Sequence, residues 1–133
     1  MGKVYQGQSI SKGVAEGVAL VTKQRLNYTF TEVATGKLLQ GGSDVYGEIA
    51  KDRILVIPSM VANIDMWKLY WCWKEGTAPK AIVAIEADDY IIAGTNLSGI
   101  PCVHRLDVDP TKEIKTGQRV KVDGDKGTVE VED

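Results

Sequence analysis

Residues 52–83, DRILVIPSMVANIDMWKLYWCWKEGTAPKAIV, restrict the fold more than any other part of the chain. RILVI at 53–57 is a continuous apolar run, the pattern of a strand covered on both faces. Pro58 ends it, since proline has no N–H for a sheet ladder. Residues 66–75 read as a helix that Gly76 stops, with Asn63 or Asp65 placed to cap its start. KAIVAI at 80–85 is a second buried strand. Residues 90–93 predict the start of a short helix, 94–99 a loop, and Ile100, Pro101, Cys102 and Val103 the opening of a third strand. Strand, helix, strand, helix, strand in this order implies right-handed crossovers and a small parallel sheet.

The flanks have a different style. Residues 4–10 alternate as a strand does, 13–17 read as a turn, and VALVT at 18–22 as a short strand. The tail carries RVKV, an Asp-Gly turn in DGDKG, and TVEV, the signature of a β-hairpin. Terminal strands and hairpin together predict a second, antiparallel layer. Residues 24–47 show little regular pattern beyond turns at Thr35-Gly36 and Gly41-Gly42. So long an irregular stretch is either a surface excursion without a role or a functional segment covered by a partner. No repeat or linker divides the chain, which reads as one domain over residues 1–133.

The helix is unusual. Trp67 and Trp71 are four apart, as are Met66 and Tyr70, and Leu69 and Trp73, so apolar side chains cover most of its circumference. Such a helix needs cover on more than one side. Either the long irregular segment supplies it, or Trp67, Tyr70, Trp71 and Trp73 meet another protein.

Charge and composition exclude several classes. A net charge of −2 with scattered lysines argues against a nucleic-acid partner. No stretch approaches the ~20 apolar residues of a membrane span, and MGKVYQGQSISKG lacks the apolar centre of a signal peptide. A cytoplasmic setting is expected, with Cys72 and Cys102 as buried small hydrophobes in a reducing compartment. Two cysteines and one histidine cannot complete a zinc or iron–sulfur site, so no metal is expected in this chain. His104 is expected to pack beside a strand end.

Taken together, GVAEGVALV, the Thr35-Gly36 turn, Gly47-Glu48 ahead of RILVIP, GTAPKAIV, SGIPCV and TGQRVKVDGDKGTVEV resemble the swivel domain, or small subunit, of aconitase X. The resemblance covers nearly the whole chain. It implies an α/β fold, a single swivelling β/β/α domain with a small parallel sheet, flanking helices and an antiparallel β layer. It also implies a hydro-lyase (dehydratase) subunit, inactive alone. Such a subunit caps the active site of a large-subunit partner that carries an iron–sulfur cluster or metal, with a small hydroxy-acid substrate in the shared cleft. The alternative is a non-catalytic swivel-domain protein that binds or regulates through its tryptophan-rich helix.

In the family, a Gly-Ser-rich loop after the first buried strand carries a serine implied as proton acceptor. That serine falls at Ala62 or Asn63 here, and neither side chain can accept a proton. Met60, Val61 and Asp65 stand among positions where the family has small residues. The loop therefore offers Ser59, Asn63 and Asp65 as candidate catalytic residues, and Ala62 and Asn63 as substrate-binding positions. Ser59 and Asn63 are equally explained by local backbone satisfaction and capping, and Asp65 by capping or solvation. Asp88 and Asp89 are expected at a solvated strand end, and Asp123 and Asp125 in a turn with too few oxygens for calcium. The chain also resembles the phosphohistidine swivel domain of phosphoenolpyruvate-utilising enzymes. That family needs its histidine near Tyr90, and His104 lies on the wrong side of Pro101.

Overall fold

The computed structural model describes residues 2–132; the expected domain limits 1 and 133 lie outside the described residues. The strands are β1 (Lys3–Gln6), β2 (Gln8–Ser11), β3 (Val14–Val21), β4 (Thr31–Glu32), β5 (Lys37–Leu38), β6 (Ile54–Ile57), β7 (Ala81–Ala84), β8 (Cys102–His104), β9 (Arg119–Asp123) and β10 (Thr128–Val131). The helices are α1 (Ile64–Glu75), α2 (Asp89–Ser98) and α3 (Pro110–Glu113). Eight strands form one sheet in the order β1-β10-β9-β3-β6-β7-β8-β2, and β4 and β5 form a separate hairpin.

The sheet works as two layers because β3 belongs to both. Its first part, from Val14 to Val18, pairs antiparallel with β9. Its last residues, Ala19 to Val21, pair parallel with β6. The expected turn at 13–17 is therefore strand, apart from Gly13. Strands β6, β7 and β8 continue the parallel half. Between the layers, Ile54, Val56, Ala81, Val83 and Val103 pack against Val120, Val122, Val129 and Val131. The alternate residues Leu55, Ile57, Ile82 and Ala84 face Leu69, Cys72 and Ile91 of the helices. Side chains alternate across a strand, so β6 must be apolar at every position, as the uninterrupted run requires.

Residues 4–10 are two strands rather than one. β1 pairs with β10 at one edge of the sheet and β2 with β8 at the other. Gly7 makes the passage between layers. Its N–H donates to the Gly127 carbonyl at 2.8 Å, and a Cβ there would sit 2.6 Å from the His104 carbonyl oxygen. The second helix also exceeds the expected 90–93. Asp88 caps it by accepting from the Tyr90 and Ile91 amides, and it continues through Gly94. A Cβ on Gly94 would lie 3.1 Å from both Leu69 Cδ2 and Met66 Cα, so the missing side chain lets α1 and α2 pack closely.

The irregular segment folds back as cover. Leu26, Tyr28, Leu38, Val45 and Ala50 are buried in the same core as Leu69 and Cys72. Lys68 Nζ donates to the Thr31 carbonyl at 3.1 Å, and Thr77 Oγ1 to the Val33 carbonyl at 2.6 Å. The segment thus buries one side of α1 and leaves the outward side open.

Candidate functional site

The C-terminal ends of parallel strands are where open α/β sheets place ligands, since the following loops converge there. Here residues 58–63 follow β6, residues 85–88 follow β7, and Arg105 follows β8. The backbone ladder runs on beyond the strands: Ile85 N–H donates to the Ile57 carbonyl, Glu86 N–H to Pro58, and Arg105 N–H to Ile85.

Side chains from three directions fix the 58–63 loop. Asp65, fully buried in the first turn of α1, accepts from the Val61 and Ala62 amides with Oδ2, both at 3.1 Å. Its Oδ1 accepts from Thr29 Oγ1 at 2.8 Å. Asp88 Oδ2 accepts from the Met60 amide at 2.8 Å. Arg25 donates from Nε to Ser59 Oγ at 2.9 Å and from Nη2 to the Met60 carbonyl at 2.8 Å. The Leu26 amide donates to the Ser59 carbonyl at 2.9 Å. Met60 itself is fully buried and fills the core beneath the loop.

The sequence-derived candidates therefore take distinct places. Ser59 is half-buried, with its hydroxyl held by Arg25. Ala62 is half-buried, and its amide is used by Asp65. Asn63 is exposed at the helix start and makes no capping bond with its side chain. Asp65 does not cap the helix either; it reaches back to the loop amides of Val61 and Ala62 ahead of it. Asp88 is not merely a solvated strand end; it ties the loop to α2. Arg25, Thr29 and Asp88 went unnoticed in the sequence as loop partners, because contacts across 28 to 36 residues leave no local pattern.

Burial pushes the Tyr28 phenol well above its ordinary value, with Cys72 and Asp65 acting in the same direction. Burial likewise raises the Cys102 thiol, helped by the Asp88 charge. Cys72 and Cys102 are both free and fully buried, a poor donor set for a cluster that needs accessible thiolates. Among the described residues no three His, Cys, Asp or Glu side chains gather as a metal site. No helix among them is long and apolar enough to cross a membrane.

His104 stands at the end of β8, where its Nδ1 accepts from the Ala87 amide at 2.9 Å. That bond requires an unprotonated Nδ1. Burial lowers its pKa, Glu86 opposes this, and Arg105 assists. Glu86 and Arg105 themselves form an exposed two-bond ion pair at 2.8 and 2.7 Å. A depressed imidazole pKa means the unfolded chain binds the proton more readily, so stability is complete above about pH 6.5 and declines as pH falls below it. Thermal melts between pH 7 and pH 5 should show this decline in the native chain. His104→Asn, which keeps an acceptor for Ala87, should flatten it; an unaltered pH slope would exclude His104 as its source.

The aromatic helix divides by face. At 3.6 residues per turn, Ile64, Trp67 and Trp71 share the outward stripe, and Trp67 and Trp71 are 53% and 58% exposed. With Tyr70, Lys74 and Glu75 they line a shallow depression of about 390 Å³. Trp73 lies on another side, in a cleft of about 310 Å³ with Asp52, Gly76 and Ile100. Tyr70 bridges the two sides, its ring centroid 5.8 Å from that of Trp73.

A two-layered sheet joined through one long strand, backed by helices and carrying a loop above its parallel strands, defines a swivel domain. A family profile described as the aconitase X swivel domain matches residues 4–131. The phosphomevalonate dehydratase small subunit of Thermococcus sibiricus is 38% identical over 96% of this chain and 98% of its own length. That of Methanocaldococcus jannaschii is 35% identical over 95% of each chain. In crystal structures, a chain of Thermococcus kodakaraensis aconitase X in its holo form superposes with a TM-score of 0.93 at 33% identity, covering 99% of this chain and 100% of that one. The solution structure of a UPF0107 protein gives 0.90 at 32% identity, covering 98% and 100%. The chain belongs to the aconitase X swivel domain family.

Proposed function

We propose that this chain is the small, swivel subunit of a cytoplasmic aconitase X-type hydro-lyase and acts as one unit that closes over the active site of a large subunit. The large subunit would hold the metal or iron–sulfur centre and most substrate ligands. The reaction removes a hydroxyl and a proton from adjacent carbons of a hydroxy acid, leaving an alkene and water. Phosphomevalonate, the substrate in the relatives' names, is the first candidate. The observation that carries this reading is coverage: relatives named as small subunits match this chain nearly end to end.

The loop defines what this subunit contributes. Ala62 and Asn63 supply no base, and Asp65 spends its oxygens on Val61, Ala62 and Thr29. Proton abstraction therefore falls to the large subunit. The small subunit binds, shapes and closes the cleft with Ser59, Asn63 and the fixed loop backbone. Asp65 acts as a positioning residue. Trp67 and Trp71, with Tyr70 beside them, extend the contact surface away from the loop along α1.

A second reading rests on the same loop. Its lack of the family's serine, with Met60 buried beneath it, also suits a binding or regulatory subunit without chemistry of its own. Co-expression with the large subunit of the same genome separates the two. The complex with a loaded metal centre is expected to dehydrate phosphomevalonate or an unphosphorylated hydroxy acid, and the isolated chain neither. A stable, loaded complex with no turnover on any of them would select the non-catalytic reading.

A further inference from the structure

Among the described residues Arg25 is the arginine that meets no carboxylate. The chain has four arginines. Arg53, Arg105 and Arg119 each meet a carboxylate, of Glu48, Glu86 and Glu16 respectively. Arg25 is exposed, yet two of its five N–H donors are anchored, on Ser59 Oγ and the Met60 carbonyl. Three donors remain in a planar fork that suits an oxyanion. Ser59 has the complementary property: its hydroxyl oxygen accepts from Arg25 and donates to no atom among the described residues. Its proton is thus left without an acceptor among the described residues, beside the guanidinium that holds the oxygen.

We propose that Arg25 and Ser59 form an oxyanion-binding pair that grips the carboxylate or phosphate of the substrate in the shared cleft. This rests on the reading of the chain as a cleft-closing subunit. The pair supplies in side chains what the loop no longer supplies in backbone, since Asp65 occupies the Val61 and Ala62 amides. The fixed anchor matters because a guanidinium already held in place loses little freedom when an anion arrives.

The test uses the complex with the large subunit and reads binding by calorimetry and turnover separately. A phosphorylated hydroxy acid and its unphosphorylated counterpart serve as probes. Arg25→Ala should raise Kd and KM about 10- to 100-fold, the usual weight of a charge-assisted hydrogen-bonded contact. With kcat held within about threefold, the loss belongs to binding; a loop merely disordered by the change would lower kcat instead. Arg25→Lys should recover part of the affinity, as it restores charge without the fork. A Kd effect confined to the phosphorylated probe assigns the pair to phosphate, and an equal effect on both assigns it to carboxylate. Unchanged Kd in Arg25→Ala, or no binding by the native complex, would overturn the inference. Intact binding effects in a complex that never turns over would sink the hydro-lyase reading alone.

Discussion

Replacing Asp65 by alanine should lower the melting temperature by about 10 °C or more and loosen the 58–63 loop. The carboxylate is fully buried and serves three donors, the Val61 and Ala62 amides and the Thr29 hydroxyl. It also sits in the first turn of α1, where a negative charge opposes the exposed amide dipoles. Removing it orphans three donors, each worth about 1–3 kcal/mol when left unpaired in a protein interior. Part of that is regained because Val61 is exposed and its amide can reach water, so the net loss should be about 3 kcal/mol. At roughly 3–5 °C per kcal/mol for a domain of this size, the shift is easily read by calorimetry. Asparagine should not rescue it fully, because its amide nitrogen would face N–H donors. Hydrogen exchange at Val61 and Ala62 should quicken in both variants. A shift below about 2 °C for alanine would mean that the loop holds its shape by other contacts.

The double substitution Trp67→Ser with Trp71→Ser should weaken assembly with the large subunit by roughly a thousandfold. Buried aromatic anchors at interfaces cost about 2 kcal/mol or more each on truncation, and 1.4 kcal/mol is a factor of ten. The folded chain should hardly notice, because both rings are more than half exposed. The contact of Lys68 over the Trp71 ring, 5.8 Å from Nζ to centroid, is lost, at about 0.5–1 kcal/mol. Trp73→Ser is the useful comparison, since that ring lies in the other cleft beside Asp52 and Ile100. Size-exclusion profiles and calorimetric Kd values read the outcome. Assembly unaffected by the double substitution would remove the outward stripe of α1 from the interface.

The candidate site was legible in the sequence only as a position. The loop after RILVIP, its absent serine and its bulky replacements are local facts, and the family resemblance located them. What the loop does with its atoms was not local. Ser59 was named without its partner, because Arg25 lies 34 residues away. Asp65 was read as a cap or a solvated carboxylate, and its burial against Thr29 depends on how the irregular segment folds over α1. Asp88 looked like half of an acidic pair at a strand end, whereas it bonds Met60 across a gap of 28 residues.

The same boundary runs through the fold. Apolar content and spacing alone set the buried strands β6 and β7, the body of α1 and the closing hairpin, because side-chain periodicity and turn chemistry act between near neighbours. The alternation over residues 4–10 could not reveal that Gly7 sends β1 and β2 to opposite edges of one sheet. Nor could the short VALVT motif reveal a strand shared by two layers. Residues 94–99 read as a loop, yet α2 runs on through Gly94, where packing against α1 makes the missing Cβ an advantage. The sequence by itself determined where the buried strands, the aromatic helix and the closing hairpin lie and that the loop lacks the family's serine. Tertiary structure decided which edges pair, which face of α1 stays bare and which side chains hold the loop, since those outcomes depend on atoms brought together from distant parts of the chain.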